Sequence, residues 1–211
     1  MRVTKREHAC LILEKAGSRI VIDPGGFTLP LTDVSDVDAV VITHEHPDHW
    51  TPEQLGRLRD RNPSMRLYGP AGVVAAVDDV EVTPVAPGDE IEEAGMTLRF
   101  FGGRHEVIHR SIPVVDNVGV LVDGSFYYGG DSYATPDVPV HTLAVPVGAP
   151  WLRISDVMDY VLAIAPKHTF GVHDATLSKI GREFAYERIR WAAKENDGGF
   201  TALEAGQSLD V

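Results

Sequence analysis

The sequence predicts a mixed α/β chain in which two β-sheets pack face to face with helices on their outer sides. Three observations carry this. Short apolar runs dominate the first third. Helical patterns alternate with strands in the last third. The overall order (strands, one helix, many strands, then helix and strand in turn) fits two sheets with helices outside. A length of 211 residues suits one domain with a sizeable core. No repeat, low-complexity tract or linker divides the chain, so residues 1–211 read as a single domain.

Residues 8–14, 18–22 and 39–43 read as strands, with Gly17-Ser18 as the turn of a hairpin between the first two. Ile22-Asp23-Pro24-Gly25-Gly26 ends the second in a loop. A helix over 52–60 follows, with Thr51 as its cap, Pro52 at its first position and Gln54 completing a capping box. Residues 66–68 read as a strand, and Pro70 opens a short helix through Val77. Residues 80–101 read as strands with turns at Pro87-Gly88-Asp89 and Ala94-Gly95. Residues 118–122 and 126–128 form a hairpin around Asp123-Gly124. Residues 143–146 and 169–172 are short apolar strands. Between them, Ser155 caps a helix that carries Val157, Val161 and Ile164 inward and stops at Pro166. A long helix over 179–195 puts Ile180, Phe184 and Trp191 on one side, and 200–203 is a candidate last strand.

Composition narrows the function. The chain is 44% hydrophobic and 24% charged, as in ordinary globular proteins. Its formal charge of -12 suits a polyanion poorly, because phosphate neutralisation dominates nucleic-acid affinity. The single cysteine, Cys10, excludes an internal disulfide and reads as a buried structural thiol. No apolar run reaches the roughly 18 residues that span a membrane. The apolar run after Arg2, Lys5 and Arg6 is too short for a secretory signal. The expectation is a cytoplasmic protein without membrane or nucleic-acid partners.

The chemistry concentrates in Thr43-His44-Glu45-His46-Pro47-Asp48-His49-Trp50, directly after the apolar run Ala39–Ile42. His44 and His46 stand two residues apart, and in an extended segment such side chains point the same way, toward one metal ion. Pro47 then bends the chain, so Asp48 and His49 can face a second position nearby. Imidazole nitrogen and carboxylate oxygen suit zinc and its neighbours in the first transition row.

His-x-His-x-Asp-His after a strand resembles the signature of the metallo-β-lactamase-fold hydrolases. That resemblance implies a four-layer αββα sandwich with one or two metals between the sheet edges. Three downstream positions look like the rest of the family pattern: His105 after Gly102-Gly103-Arg104, Asp131 after Gly129-Gly130, and His173 after Phe170-Gly171-Val172. By the resemblance, His44, His46 and His105 hold one metal, Asp48, His49 and His173 hold the other, and Asp131 bridges them. The implied cofactors are two divalent ions, zinc first, with manganese or iron as alternatives. His109 is an alternative to His105, which is preferred because it directly follows the Gly-Gly turn. His105-Glu106-Val107-Ile108-His109 also matches the zinc-protease pattern literally, but that motif requires a helix. Gly102-Gly103 before it, Pro113 after it and β-branched Val107 and Ile108 disfavour one.

The bridging aspartate and the lack of a cysteine in the site look closer to lactonases, thioesterases and phosphodiesterases than to true β-lactamases. The compact Gly-Asp-Ser segment resembles the ascorbate-6-phosphate lactonase-like branch. The expected function is hydrolysis of a small ester, lactone, thioester or phosphodiester by a hydroxide shared between the metals. Asp48 and Asp131 are the expected catalytic carboxylates. The alternative is a non-catalytic sensor or scaffold of the same fold. Asp23 is expected to orient a metal-bound histidine. Glu45 and Asp174 adjoin the cluster but point away, and His8, His141 and His168 read as ordinary residues. Arg104 and Arg110 read as solvated, and Trp151 as either pocket or core.

Overall fold

A computed structural model describes residues 1–211 as fourteen strands and four helices. The amino-terminal half supplies β1 (Arg2–Lys5), β2 (Leu11–Lys15), β3 (Ser18–Ile22), β4 (Ala39–Val41), α1 (Pro52–Arg61), β5 (Arg66–Gly69), α2 (Ala71–Ala76) and β6 (Val82–Pro84). The carboxy-terminal half begins with β7 (Glu90–Glu93), β8 (Met96–Gly102), β9 (Val118–Val122), β10 (Phe126–Tyr128), β11 (Thr142–Pro146) and α3 (Ile154–Ile164). It ends with β12 (His168–Val172), α4 (Lys179–Lys194), β13 (Gly199–Phe200) and β14 (Ser208–Asp210).

Two seven-stranded sheets result, in the orders β14-β1-β2-β3-β4-β5-β6 and β13-β12-β11-β10-β9-β8-β7. The first is antiparallel from β14 to β3 and parallel from β3 to β6. The second is antiparallel from β7 to β10 and parallel from β10 to β13.

Strand periodicity sorts the side chains into three apolar layers. Leu11, Leu13, Ile20, Ile22 and Val41 face Phe100, Val120, Phe126 and Phe170 between the sheets. The alternate residues Ile12, Val21 and Val40 pack outward on Leu55 and Leu58 of α1 and Val73 of α2. Leu121, Tyr127, Leu143 and Val145 pack on Val157 and Val161 of α3 and Ile189 of α4. The fold is therefore a four-layer αββα sandwich. Sheets covered on both faces explain why β9 and β11 are buried at every position.

Several local expectations change. The first strand does not start at residue 8. Residues 2–5 pair with β2, and Arg6 N–H donates to Cys10 O at 2.8 Å to close a turn between them. Thr51 does cap α1, accepting from Gln54 N–H at 3.2 Å. Gln54 makes no return bond. It is buried, donates to Thr28 O and Leu29 O at 2.9 and 3.2 Å and accepts from Leu31 N–H, so it holds the loop after β3 instead. Ser155 lies inside α3, whose cap position is Arg153. Ile180, Phe184 and Trp191 do share a side of α4, but it is the solvent side. Tyr186, Ile189, Ala192 and Ala193 form the buried face, where small residues let the helix approach the sheet closely.

Candidate metal centre

Strand direction gathers the site. β1 and β3 both run antiparallel to β2, so their carboxyl ends share one edge with those of β4 and β5. In the second sheet β8, β10, β11 and β12 share a direction by the same logic. Every candidate residue follows one of these ends: Asp23 after β3, His44–His49 after β4, His105 after β8, Asp131 after β10 and His173 after β12.

The loop after β4 turns more tightly than an extended segment. His46 O accepts from His49 N–H at 3.0 Å and from Trp50 N–H at 3.3 Å. His44 and His46 still converge, with ring centroids 4.8 Å apart, and His105 lies 4.9 and 4.7 Å from them. These three form one group whose ligating atoms could share an ion. Asp48, His49 and His173, with His8, form a second, and Asp131 joins His44 and His49 in a third. Asp131 is central: its carboxylate lies 3.3 Å from His49 Nε2, 3.4 Å from His105 Nε2 and 3.2 Å from His173 Nε2. His109 stays outside, exposed and bonded to Ser111.

Four of the rings are held at Nδ1. His44 Nδ1 lies 3.0 Å from Thr43 Oγ1, His49 Nδ1 2.7 Å from Asp23 Oδ2, His105 Nδ1 2.5 Å from Glu106 O and His173 Nδ1 2.6 Å from Gly148 O. All four face acceptors, so in the neutral ring Nδ1 carries the hydrogen and Nε2 is left with its lone pair. Each of these buried Nε2 atoms has no hydrogen-bond partner, and neither has Asp131 Oδ1. Buried polar atoms are almost always satisfied. A cluster of orphaned ligand atoms, each backed by an oriented partner, fits divalent metal.

Electrostatics agree. Burial and the neighbouring rings push His44 far below its ordinary pKa, and burial with His105 lowers His46. Burial also opposes a charge on His49, but Asp131 and Asp23 outweigh it and raise its pKa well above the usual range. His173 is opposed by burial too, yet Asp131 and Asp48 lift it to about 9. Burial would raise Asp48 and Asp131, but the facing histidines hold both well below the usual carboxylate range. The two carboxylates thus demand positive charge at the spot where the ring nitrogens point.

A family model described as "Beta-lactamase superfamily domain" matches residues 2–173. The chain belongs to the metallo-β-lactamase superfamily of metal-dependent hydrolases. Protein Rv0786c of Mycobacterium tuberculosis is 35% identical over 90% of this chain and 91% of its own. A "UPF0173 metal-dependent hydrolase" of Aeropyrum pernix is 26% identical over 70% and 71%. Among solved structures, the metallo hydrolase Igni18 of Ignicoccus hospitalis superposes with a TM-score of 0.74 at 15% identity, covering 99% of this chain and 97% of that one.

Within this superfamily fold, other side chains shape the centre. Asp23 behaves as the sequence suggests: its carboxylate accepts from His49, from Thr43 N–H at 2.8 Å and from Thr43 Oγ1 at 2.7 Å. Glu45 turns toward Gly72, and Asp174 turns to a buried pair with Lys5 at 3.0 Å, so neither joins the site. Arg104 and Arg110 are exposed. Trp151 belongs to the centre: its Nε1–H donates to Asp131 Oδ2 at 3.0 Å. Asn117, fully buried, accepts from Asp131 N–H and donates to Gly129 O, fixing the loop that carries Asp131. His8, read from sequence as ordinary, is completely buried beside Asp48. A β1–β2 turn at residues 6–10 would have placed it at this edge. No helix is long and apolar enough to cross a membrane.

Proposed function

We propose that this chain is a dinuclear metal hydrolase of a small molecule. His44, His46 and His105 would hold one ion, Asp48, His49 and His173 the other, with Asp131 between them. The observation that supports this best is the convergence of three orphaned Nε2 atoms, those of His49, His105 and His173, on one buried carboxylate. Zinc, manganese or iron bound there would supply a water acidified to near neutral pKa and a Lewis acid for the scissile group.

The remaining roles belong to the chain's own residues. Asp131 is 2% exposed and held by Trp151 on one oxygen, which suits a fixed bridge. The Asp48 side chain is 23% exposed and is held ionised by the facing histidines, so it would act as a relay that first accepts a proton from the acidified water and then hands it to the leaving group. No thiol competes as nucleophile, because Cys10 is buried in the first sheet's outer core, where burial pushes its pKa up.

Exposed apolar side chains lie on the segments that flank the site residues. Phe27 is 52% exposed and packs edge-on against His8, and Val107 and Ile112 are exposed on the loop that follows His105. A charge of -12 and these side chains favour a small ester, lactone or thioester with an apolar group over a polyanion. The phosphodiester reading draws on Arg104 and Arg110, exposed on the same loop. A panel of generic esters, lactones, thioesters and phosphodiesters tests both. Hydrolysis abolished by chelator and restored by metal is expected, and its loss in Asp131→Asn. Full hydrolysis by Asp131→Asn with both metals in place would refute the mechanism.

A further inference from the structure

His8 is not one of the seven residues proposed to hold the ions, yet it touches two of them, Asp48 and His173. It lies in the β1–β2 turn with φ 61°, a left-handed conformation that non-glycine residues rarely adopt. Surrounding contacts must therefore hold it, and they lead to the Asp48 side of the centre. Its carbonyl accepts from His173 N–H at 2.8 Å, and His173 is itself left-handed at φ 57°. Its ring lies 3.9 Å from that of His173, centroid to centroid, and Phe27 covers it edge-on at 5.0 Å.

The ring's hydrogen bonds identify its tautomer. Nδ1 accepts from Ala175 N–H at 3.3 Å, so it carries no hydrogen. The hydrogen of the neutral ring is then on Nε2, which lies 3.2 Å from Asp48 Oδ2 and donates to it. This reverses the pattern of His44, His49, His105 and His173, whose Nδ1 atoms all face acceptors and leave Nε2 free. A ring that ligated through Nε2 while accepting at Nδ1 would have to be an imidazolate. Proximity groups His8 with Asp48, His49 and His173, but its hydrogen bonds exclude it as a ligand.

We propose that His8 is a positioning residue for the second metal. Its Nε2–H holds Asp48 Oδ2, the oxygen that also faces His173 Nε2 at 3.3 Å and His49 Nε2 at 3.8 Å, and its carbonyl fixes the backbone of His173. The proposal rests on the dinuclear reading above.

Metal titrations of the wild type, His8→Ala and His8→Gln, followed by calorimetry and elemental analysis, test it. The His44–His46–His105 side serves as internal control. His8→Ala should keep the first ion at wild-type affinity and bind the second about 10–100-fold more weakly. His8→Gln, whose amide N–H replaces Nε2–H, should recover most of that loss. Wild-type affinity at both sites in His8→Ala would overturn the role of His8 alone. A His8→Gln no better than His8→Ala would point to ligation or packing and overturn it too. A wild type that takes up no metal would fail the dinuclear reading and this inference together. If His8→Ala does not fold, nitrogen NMR of the zinc-loaded wild type decides. A protonated Nε2 and bare Nδ1 at His8 are expected, and a metal-bound Nε2 would overturn the proposal.

Discussion

His49 Nδ1 lies 2.7 Å from Asp23 Oδ2, and both side chains are completely buried. The carboxylate fixes which nitrogen of His49 keeps its hydrogen and turns Nε2 toward Asp131. Asp23→Asn preserves size, and asparagine tolerates the left-handed φ of 48° at this position. The fold should survive while metal affinity on the Asp48 side falls about 10–100-fold. Isothermal titration with zinc checks this, and an unchanged affinity would remove Asp23 from the centre.

Trp151 offers a sharper separation of packing from chemistry. Trp151→Phe keeps an aromatic ring against His105 and Tyr133 but removes the N–H that donates to Asp131 Oδ2. A buried hydrogen bond to a charged group contributes about 1.5–3 kcal/mol. Hydrolysis by the variant should therefore drop about ten-fold or more in kcat/KM, and the melting temperature should fall by roughly 3–12 °C. A variant as active as wild type would mean that Asp131 needs no support on that oxygen.

Gly25 is a steric requirement of the metal loop. A Cβ there would stand 1.7 Å from the main-chain oxygen of Asp48, which cannot rotate away. Gly25→Ala should displace residues 47–49, destabilise by about 1–3 kcal/mol and weaken metal binding. Gly56→Ala is the control: it lies in α1, nothing stands within 4 Å of its added Cβ, and alanine should stabilise by about 0.5–1 kcal/mol. Urea denaturation of both variants decides whether close approach, rather than glycine itself, is the reason.

Protonation gives the pH dependence. In chelated protein, His173 titrates near 9, above its ordinary 6.5, and His49 shifts in the same direction. Each ring's proton contributes stability that is full below about pH 6.5 and lost as pH rises through the folded value. A cation must displace those protons. Zinc added to chelated protein in weak buffer near neutral pH should release protons, and its affinity should rise with pH over that window. Binding without proton release would contradict the assignment of His49 and His173.

The parts of this centre differ in how far sequence reveals them. His44, His46, Asp48 and His49 were legible because they crowd one loop, and His105, Asp131 and His173 because their order and their places at strand ends resemble the family pattern. The two hairpins and α1 were legible from turn and cap residues. The left-handed turn at His8 was not, since its sequence continues the apolar run Ala9–Leu13 and hides the break between β1 and β2. Trp151 and Asn117 reach Asp131 only through the packing of β9, β10 and β11, and no local pattern encodes that. Gln54 misled because its spacing from Thr51 suits a capping box while its burial commits it to the loop at residues 28–31. Ile180, Phe184 and Trp191 share a side of α4 as their spacing suggests, but spacing alone does not say that this side faces solvent while Tyr186, Ile189 and three alanines face the sheet.

Elemental analysis of gently purified wild type beside His46→Ala tests the dinuclear centre most directly. The result expected is about two equivalents of zinc, manganese or iron per chain, as in two-metal hydrolase sites, falling sharply in the variant. No metal in wild type purified without chelator, or an unchanged content in His46→Ala, would contradict it.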